Sequence, residues 1–311
     1  MTPLVILTGP TAVGKTGLSI ALAKAIGAEI INADSMQVYR GMDIGSAKIS
    51  PGEMDGVPHH LIDILDPDQD FSVYDFQQAA KAAITEIRGR GRIPLLVGGT
   101  GFYIQALLKD VDFNEEAVDE AYRKELQELA AEDPLKLHQM LSETDPEAAA
   151  QIHPNNLKRV MRALEFARVN GSSISEHNRE QKSKPSPYNY AYFVLERDRA
   201  ELYRRIDARV DQMMEEGLLQ ETTRLKEEGL REGMTAAHGL GYRELLQYLE
   251  GGLDLEEAVR LIKQNTRHYA KRQLTWFRRE PDVIRLDADR YSQEELLEQI
   301  QKILMGKKIL L

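Results

Sequence analysis

The phosphate loop, residues 9–16, constrains the fold more than any other stretch of the chain. Its sequence, Gly-Pro-Thr-Ala-Val-Gly-Lys-Thr, matches the pattern G-x-x-x-x-G-K-[ST] at every fixed position. The apolar residues 4–8 before it predict a buried strand, and residues 17–26 after it predict a helix. A strand, a glycine-rich loop and a helix N-terminus in this order point backbone N–H groups at one place, where they bind polyphosphate. We therefore predict an α/β fold.

The residues of the phosphate loop have separate roles in holding a diphosphate. The glycines let the backbone turn its N–H groups inwards, while Lys15 supplies a positive charge and Thr16 a hydroxyl oxygen for Mg²⁺. The predicted diphosphate-binding residues are Gly9, Pro10, Thr11, Ala12, Val13, Gly14, Lys15 and Thr16. The expected fold is a P-loop NTPase-like parallel sheet flanked by helices. The motif leaves the reaction open, because NTPases and small-molecule kinases share it.

Composition restricts the possible partners and the compartment. The 311 residues suggest about two domains. The net charge of −10 means that any nucleic-acid site must be a local basic face. The absence of cysteine excludes disulfides and thiolate chemistry and fits a reducing compartment. Without a signal peptide or an apolar stretch of membrane-spanning length, we expect a cytoplasmic protein with no membrane partner, and we expect a monomer.

Two further predicted strands end in residues that suit a ligand site. Residues 29–32 lead into Asp34 and Ser35, and ligands collect at the carboxyl ends of parallel strands. A helix cap or turn is an equally good interpretation of Asp34. Residues 92–97 end in the glycine-rich residues 98–101, where a P-loop NTPase usually presents an Asp for Mg²⁺. The adjacent His59 and His60 would face opposite sides of a strand, which disfavours a shared metal ion.

Basic helix faces are the candidate nucleic-acid sites. Strand signals stop between residues 113 and 187, which predicts an all-helical insertion domain within a core of residues 1–112 and 188–311. The insertion contains Lys158 and Arg159 on a basic helix, and a long helix over residues 254–279 has a basic stripe on one side. A merely solvated face is as good an interpretation of either helix. Arg205 and Arg209 share another helix face, as ordinary ion-pair partners also do.

Several motifs in sequence order resemble the bacterial tRNA dimethylallyltransferases. They are the phosphate loop, Asp-Ser-Met-Gln-Val-Tyr at 34–39, Gly-Met-Asp-Ile-Gly-Ser-Ala-Lys at 41–48, Pro-His-His at 58–60, Leu-Leu-Val-Gly-Gly-Thr-Gly at 95–101, His-Pro-Asn at 153–155, Gly-Tyr-Arg at 241–243 and Lys-Arg-Gln-Leu-Thr-Trp at 271–276. The resemblance extends from the first predicted strand to the last helix. It implies transfer of a dimethylallyl group from dimethylallyl diphosphate to N6 of adenosine 37 in tRNAs that read codons beginning with U.

The resemblance also implies roles for particular residues. Asp34 would be the general base, and Thr16, with Mg²⁺, and Arg209 would complete the catalytic set, with Arg205 as a further diphosphate ligand. The implied contacts with the tRNA anticodon stem-loop are Asp34, Ser35, Met36, Gln37, Thr100, Asn155, Asn156, Lys158, Arg159, His238, Gly241, Tyr242, Arg243, Lys271, Arg272, Gln273, Trp276 and Arg278.

Two other functions use the same residues. A P-loop small-molecule kinase would bind ATP in the phosphate loop and place Asp34 beside an acceptor hydroxyl. An RNA-binding module would sense a nucleotide in the loop without chemistry. Turnover of ATP or of dimethylallyl diphosphate in the presence of RNA separates the three hypotheses.

Overall fold

The computed structural model describes residues 1–113 and 119–310. Contacts divide the chain into a larger compact unit, residues 1–107 with 187–311, and a smaller one, residues 108–186. The smaller unit begins at Leu108, whereas the sequence placed the start of the insertion at Phe113. No helix in the described ranges is long and apolar enough to cross a membrane.

The larger unit is built on a six-stranded, fully parallel sheet, which confirms the predicted fold class. The strands are β1 (Thr2–Thr8), β2 (Ala28–Asn32), β3 (His59–His60), β4 (Ile93–Gly98), β5 (Tyr188–Glu196) and β6 (Val283–Asp287). They lie in the order β3-β2-β4-β1-β5-β6. The register pairs Ile6 with Leu96 of β4 and with Tyr192 of β5. β1 lies in the interior of the sheet, and its apolar residues 4–7 are completely buried.

Helices cover the sheet and extend beyond it. They are α1 (Lys15–Ile26), α2 (Val73–Gly89), α3 (Gly101–Leu108), α9 (Arg199–Glu215), α10 (Leu218–Glu227), α11 (Tyr242–Leu249), α12 (Leu255–Arg279) and α13 (Gln293–Gly306), with a short 3₁₀ turn at Ala236–His238. The sequence Ser-Val-Tyr-Asp at 72–75 predicts a capping box, and it is present at the start of α2: the Ser72 hydroxyl accepts the Asp75 N–H, and the Asp75 carboxylate accepts the Ser72 N–H. Asp254 caps α12, the long helix predicted over 254–279.

The smaller unit contains helices only among its described residues. They are α4 (Glu120–Glu132), α5 (Pro134–Thr144), α6 (Pro146–Gln151), α7 (Leu157–Asn170) and α8 (Ile174–Ser183). Asp133 and Asp145 cap α5 and α6, each followed by proline at the first helical position, as the sequence predicts. Leu126, Leu137 and Leu141 are among the residues that form a core within this unit.

Candidate active site

The phosphate loop connects β1 to α1 in the conformation that the motif predicts. Gly9 has a φ of +148°, and a β-carbon there would lie 2.5 Å from the Leu195 carbonyl oxygen, so only glycine fits. Ala12 adopts a φ of +61°, a strained value for a residue with a side chain. The surroundings must therefore hold this backbone in place.

Lys15 rests on the loop that precedes it. Its Nζ donates hydrogen bonds to the carbonyl oxygens of Gly9 and Pro10, at 2.9 and 2.8 Å. Desolvation lowers the pKa of Lys15 to about 8, with the Asp34 carboxylate acting in the opposite direction and the Arg209 guanidinium adding to the decrease. An anionic ligand would relieve this cost of holding a buried charge.

Three side chains from later in the sequence hydrogen-bond to the backbone of residues 11–13 in the phosphate loop. Gln273 Oε1 on α12 accepts the Thr11 N–H at 2.9 Å. Arg205 Nε on α9 donates to the Ala12 carbonyl at 2.9 Å, and Arg197 Nε, just after β5, donates to the Val13 carbonyl at 2.9 Å. We call Gln273, Arg205 and Arg197 the loop clamp.

Asp34 lies two residues after the end of β2, and hydrogen bonds fix the orientation of its carboxylate. Its Oδ1 accepts the Met36 N–H at 2.9 Å, which forms a local turn. Asn32 Oδ1 accepts the Asp34 N–H at 3.2 Å, and Asn32 Nδ2 donates to the Asp34 carbonyl at 3.3 Å. Within the described part of the chain, Asp34 Oδ2 has no hydrogen-bond partner. The two interpretations from the sequence therefore coexist, since one oxygen stabilises the turn and the other is available.

A cavity of about 820 Å³ in the larger unit brings the predicted catalytic residues together. The sequence-predicted residues among those that line it are Thr11, Ala12, Gly14, Lys15, Thr16, Asp34, Gln37, Arg205, Arg209 and Gln273. Apolar residues of the wall include Ile44, Ile49, Ile62 and Met213. The cavity thus combines an anion site with an apolar surface, as a ligand with a charged head and a hydrocarbon part requires.

Arg209 is the cationic side chain of α9 that is free to meet a ligand. It is half-buried and lines the cavity, yet among residues 1–113 and 119–310 it has neither a hydrogen-bond nor an ion-pair partner. Burial lowers the pKa of Arg209, and the Asp34 carboxylate acts against this shift. Arg205, by contrast, already donates to the Ala12 carbonyl. The structure thus distinguishes two arginines that their spacing on the helix left equivalent.

A buried carboxylate holds the backbone of residues 43–45, which form part of the cavity wall. Glu221 on α10 is 8% exposed and accepts the N–H groups of Asp43, Ile44 and Gly45 at 2.9–3.2 Å. It also accepts the hydroxyl of the fully buried Tyr242 at 2.7 Å. The burial of Tyr242 argues against a direct contact of its side chain with RNA. Its role here is to support the wall.

The other predicted tRNA residues differ in accessibility. Gln37 Nε2 donates to the carbonyls of Ser46 and Ala47, and the Thr100 hydroxyl accepts the Ser35 N–H at 3.3 Å. The half-buried Trp276 packs against Gly101, and its Nε1 is buried without a partner among the described atoms. Buried positions are Gly241, Tyr242 and Gln273, and exposed positions are Asn155, Asn156, Lys158, Arg159, His238, Arg243, Lys271, Arg272 and Arg278.

Ion pairs divide the basic stripe of α12 into two parts. Arg260 pairs with Glu257, Lys263 with Asp211 at 2.6 Å, and Arg267 with Asp207. In the described structure, Lys271, Arg272, Arg278 and Arg279 have no ion-pair partner and are exposed. We call these four residues the basic end of α12, and it is the part of the helix where a polyanion would find unneutralised charge.

The paired histidines have separate partners, as their strand position predicts. His59 Nδ1 donates to the Val57 carbonyl at 2.8 Å, and His60 Nε2 lies 2.8 Å from Glu29 Oε2. No group of three metal-ligating side chains occurs within residues 1–113 and 119–310. The exposed Thr16 hydroxyl at the cavity suits Mg²⁺ only if other oxygen ligands come from a bound diphosphate and water.

Sequence reasoning missed Arg197, Glu221 and the clamping role of Gln273. Arg197 had a usable signal, since it follows β5 directly and the carboxyl ends of parallel strands share one edge. Glu221 gave none, because its helix and the segment that it holds are 176 residues or more apart in sequence.

Comparison with known proteins gives one consistent result. A model described as IPP transferase matches residues 37–280. The tRNA dimethylallyltransferase of Lachnoclostridium phytofermentans is 57% identical, with full coverage of both chains, and that of Bacillus subtilis is 52% identical over 92% of this chain and 90% of its own. The crystal structure of tRNA isopentenylpyrophosphate transferase from Bacillus halodurans is 48% identical, with a TM-score of 0.76 and coverage of 99% and 97%. A eukaryotic dimethylallyltransferase acting on tRNA is 32% identical, with a TM-score of 0.82 and coverage of 99% of this chain and 80% of its own. The chain belongs to the IPP transferase family.

Proposed function

We propose that this protein transfers a dimethylallyl group from dimethylallyl diphosphate to N6 of adenosine 37 in tRNAs that read codons beginning with U, with release of diphosphate. The observation that carries this proposal is that one cavity is lined by the phosphate loop, Arg209 and Asp34; among residues 1–113 and 119–310, the Arg209 guanidinium and Asp34 Oδ2 have no hydrogen-bond partner. Membership of the IPP transferase family and the names of the full-length relatives support the same reaction.

Asp34 is the proposed general base. The exocyclic amine of adenine loses a proton as its nitrogen bonds to the prenyl carbon, and Asp34 Oδ2 is free to accept it. The Met36 N–H fixes the other oxygen, so the carboxylate needs no reorganisation during reaction. A base placed in this way contributes about 10²- to 10⁴-fold to the rate.

We propose that the phosphate loop and Arg209 stabilise the negative charge that develops on the departing diphosphate. Adenine N6 is a weak nucleophile, so the reaction depends on stabilising the departing diphosphate. Lys15 and the loop N–H groups meet it on one side. Arg209, with no other partner in the described ranges, completes the site from α9.

Mg²⁺ is the proposed cofactor, and Thr16 is the residue that would hold it together with diphosphate oxygens. When bound, the ion neutralises part of the diphosphate charge. The reaction activates no water and transfers no γ-phosphate, which agrees with a β4 strand that ends in Gly98 rather than in an acidic residue.

Two basic faces are the proposed contacts with the anticodon stem-loop. One is the basic end of α12 in the larger unit, and the other contains Lys158 and Arg159 on α7 of the smaller unit. Adenosine 37 is stacked in its loop, and turning it out costs a few kcal/mol. Phosphate contacts at these faces offset that cost.

A labelling assay tests the proposed function. The protein is mixed with Mg²⁺, radiolabelled dimethylallyl diphosphate and an anticodon stem-loop containing three adenosines at positions 36–38. We expect label in the RNA and none when adenosine 37 is replaced by guanosine. ATP hydrolysis with unlabelled RNA would instead identify a kinase, and RNA binding without any turnover would identify a binding module.

Binding of dimethylallyl diphosphate is expected to take up protons at alkaline pH. The pKa of Lys15 is about 8 in the free protein because of desolvation, so at about pH 9 most of it is neutral, and a bound diphosphate draws the proton back. Calorimetry at that pH, in buffers of different ionisation enthalpy, measures the uptake.

A Lys15→Arg variant is the matched control for the proton uptake, because its charge does not titrate in this range. Wild-type protein should show uptake at about pH 9 that falls away towards pH 7, where Lys15 is already charged. Equal uptake by both proteins would mean that Lys15 is not its source.

Removing the two α7 charges should weaken RNA binding and its dependence on salt. A Lys158→Ala, Arg159→Ala double variant loses up to two phosphate contacts, so the slope of log K against log salt should decrease by up to about 2. Filter binding of the stem-loop at several salt concentrations measures both quantities. Lys124→Ala with Lys136→Ala makes the same change on α4 and α5 and should leave the slope unchanged, whereas an unchanged slope in the α7 variant would remove this face from the interface.

A further inference from the structure

Gln273 lies where α12, the helix that we propose contacts RNA, meets the phosphate loop. It is 6% exposed, although its neighbours Lys271 and Arg272 on α12 are exposed. Its Oε1 accepts the Thr11 N–H at 2.9 Å, and its Nε2 donates to the Gly99 carbonyl at 3.0 Å. Both ends of the amide therefore bind protein backbone, and the side chain is committed to that arrangement.

The close approach of Gln273 depends on Gly99, the glycine that follows β4. A β-carbon at Gly99 would lie 2.3 Å from Gln273 Nε2, so any larger residue would displace the amide. The glycine-rich segment that replaces the usual strand-end acid thus accommodates a side chain from α12. This contact joins α12, the β4 terminus and the phosphate loop in one place.

The residue after Gly99 contacts the loop that contains Asp34. Thr100 Oγ1 accepts the Ser35 N–H at 3.3 Å, and the Thr100 N–H donates to the Ala33 carbonyl at 3.2 Å. The segment after β4 that Gln273 contacts is therefore also hydrogen-bonded to the segment that holds the general base.

The phosphate loop needs support of this kind. Ala12 has a φ of +61°, a conformation that a residue with a β-carbon keeps only where its neighbours enforce it. Gln273 holds the residue before Ala12, while Arg205 holds the Ala12 carbonyl itself. Loss of the Gln273 contact would free one of these restraints and let the N–H groups turn away from the anion.

We propose that Gln273 is a positioning residue that sets the phosphate loop for diphosphate and couples it to the state of α12, rather than a direct contact to tRNA. The inference rests on the proposed function. Since the basic end of α12 would dock RNA, a shift of this helix reaches the phosphate loop through one amide group. The proposal predicts that a substitution of Gln273, although it lies on the helix that would bind RNA, weakens binding of the diphosphate.

A Gln273→Met variant tests the proposal, because methionine has a similar volume and no hydrogen-bonding amide. We expect KM for dimethylallyl diphosphate, and Kd for inorganic pyrophosphate by calorimetry, to rise at least about 10-fold. KM for the stem-loop should change by less than about 3-fold. Arg272→Met, the exposed neighbour, should give the reverse pattern.

Further measurements make the outcome decisive. Gly99→Ala keeps Gln273, but the added β-carbon would lie 2.3 Å from Gln273 Nε2 and displace the amide, so it should weaken diphosphate binding in the same direction even if Gln273→Met does not fold. A rise in the stem-loop KM alone, or unchanged diphosphate affinity in both variants, would overturn the proposal. Wild-type protein that binds diphosphate in this Gln273-dependent way but yields no prenylated RNA would instead refute the proposed function and leave the positioning role standing.

Discussion

Asp34→Asn is expected to lower turnover of the stem-loop by at least about 100-fold while binding of both substrates stays within about 3-fold. Asparagine keeps an oxygen for the Met36 N–H, so the turn after β2 is retained. What disappears is the basic oxygen that accepts the proton from adenine. Single-turnover kinetics with saturating substrates measure the chemical step directly.

The Asp34 variant has a sharp alternative outcome. If the residue were mainly a turn-former, then turnover and stem-loop affinity would fall together and the melting temperature would drop. Asp63→Asn provides a matched control, because Asp63 is a carboxylate on a neighbouring loop that pairs with Lys48 and does not line the cavity. It should leave the rate of the chemical step near that of the wild type.

Arg209→Met is expected to reduce kcat/KM for dimethylallyl diphosphate by about 10²- to 10³-fold without destabilising the protein. The guanidinium is half-buried and has no hydrogen-bond or ion-pair partner in the described ranges, so its removal breaks no polar contact there and relieves a desolvation cost. Thermal melting and steady-state kinetics on the same sample test both halves of this expectation.

Arg199→Met is the control for the Arg209 variant. Arg199 lies on the same helix, but it is exposed, donates to the Tyr203 hydroxyl at 3.2 Å and does not line the cavity, so its loss should change catalysis little. A large drop in melting temperature for Arg209→Met, with diphosphate affinity retained, would show that Arg209 is a structural residue.

Local sequence signals were sufficient for most of the secondary structure. The strand before the phosphate loop, the capping box at Ser72, the two Asp-Pro helix starts and the long helix over 254–279 are all confirmed, because each depends on residues a few positions apart. The same holds for Asp34 at the cavity, since a parallel sheet gathers its strand ends at one edge.

Long-range pairing was beyond the reach of these signals. The strand order places β1 between β4 and β5, and no pattern within one strand encodes its neighbour. The burial of Gln273 and Tyr242 inside segments that otherwise look accessible depends on Gly99 and Glu221, which are far away in sequence. The difference between Arg205 and Arg209 likewise appears only when the Ala12 carbonyl is seen beside one of them.

The loop clamp has a consequence for the order in which the protein matures during translation. Residues 9–16 leave the ribosome among the first, whereas Arg197, Arg205 and Gln273 emerge much later. A nascent chain that has reached the end of β4 contains the whole phosphate-loop motif but none of its three supports. Such an intermediate should have little affinity for polyphosphates, so the cellular pool of nucleotides would not capture it before α12 has been made.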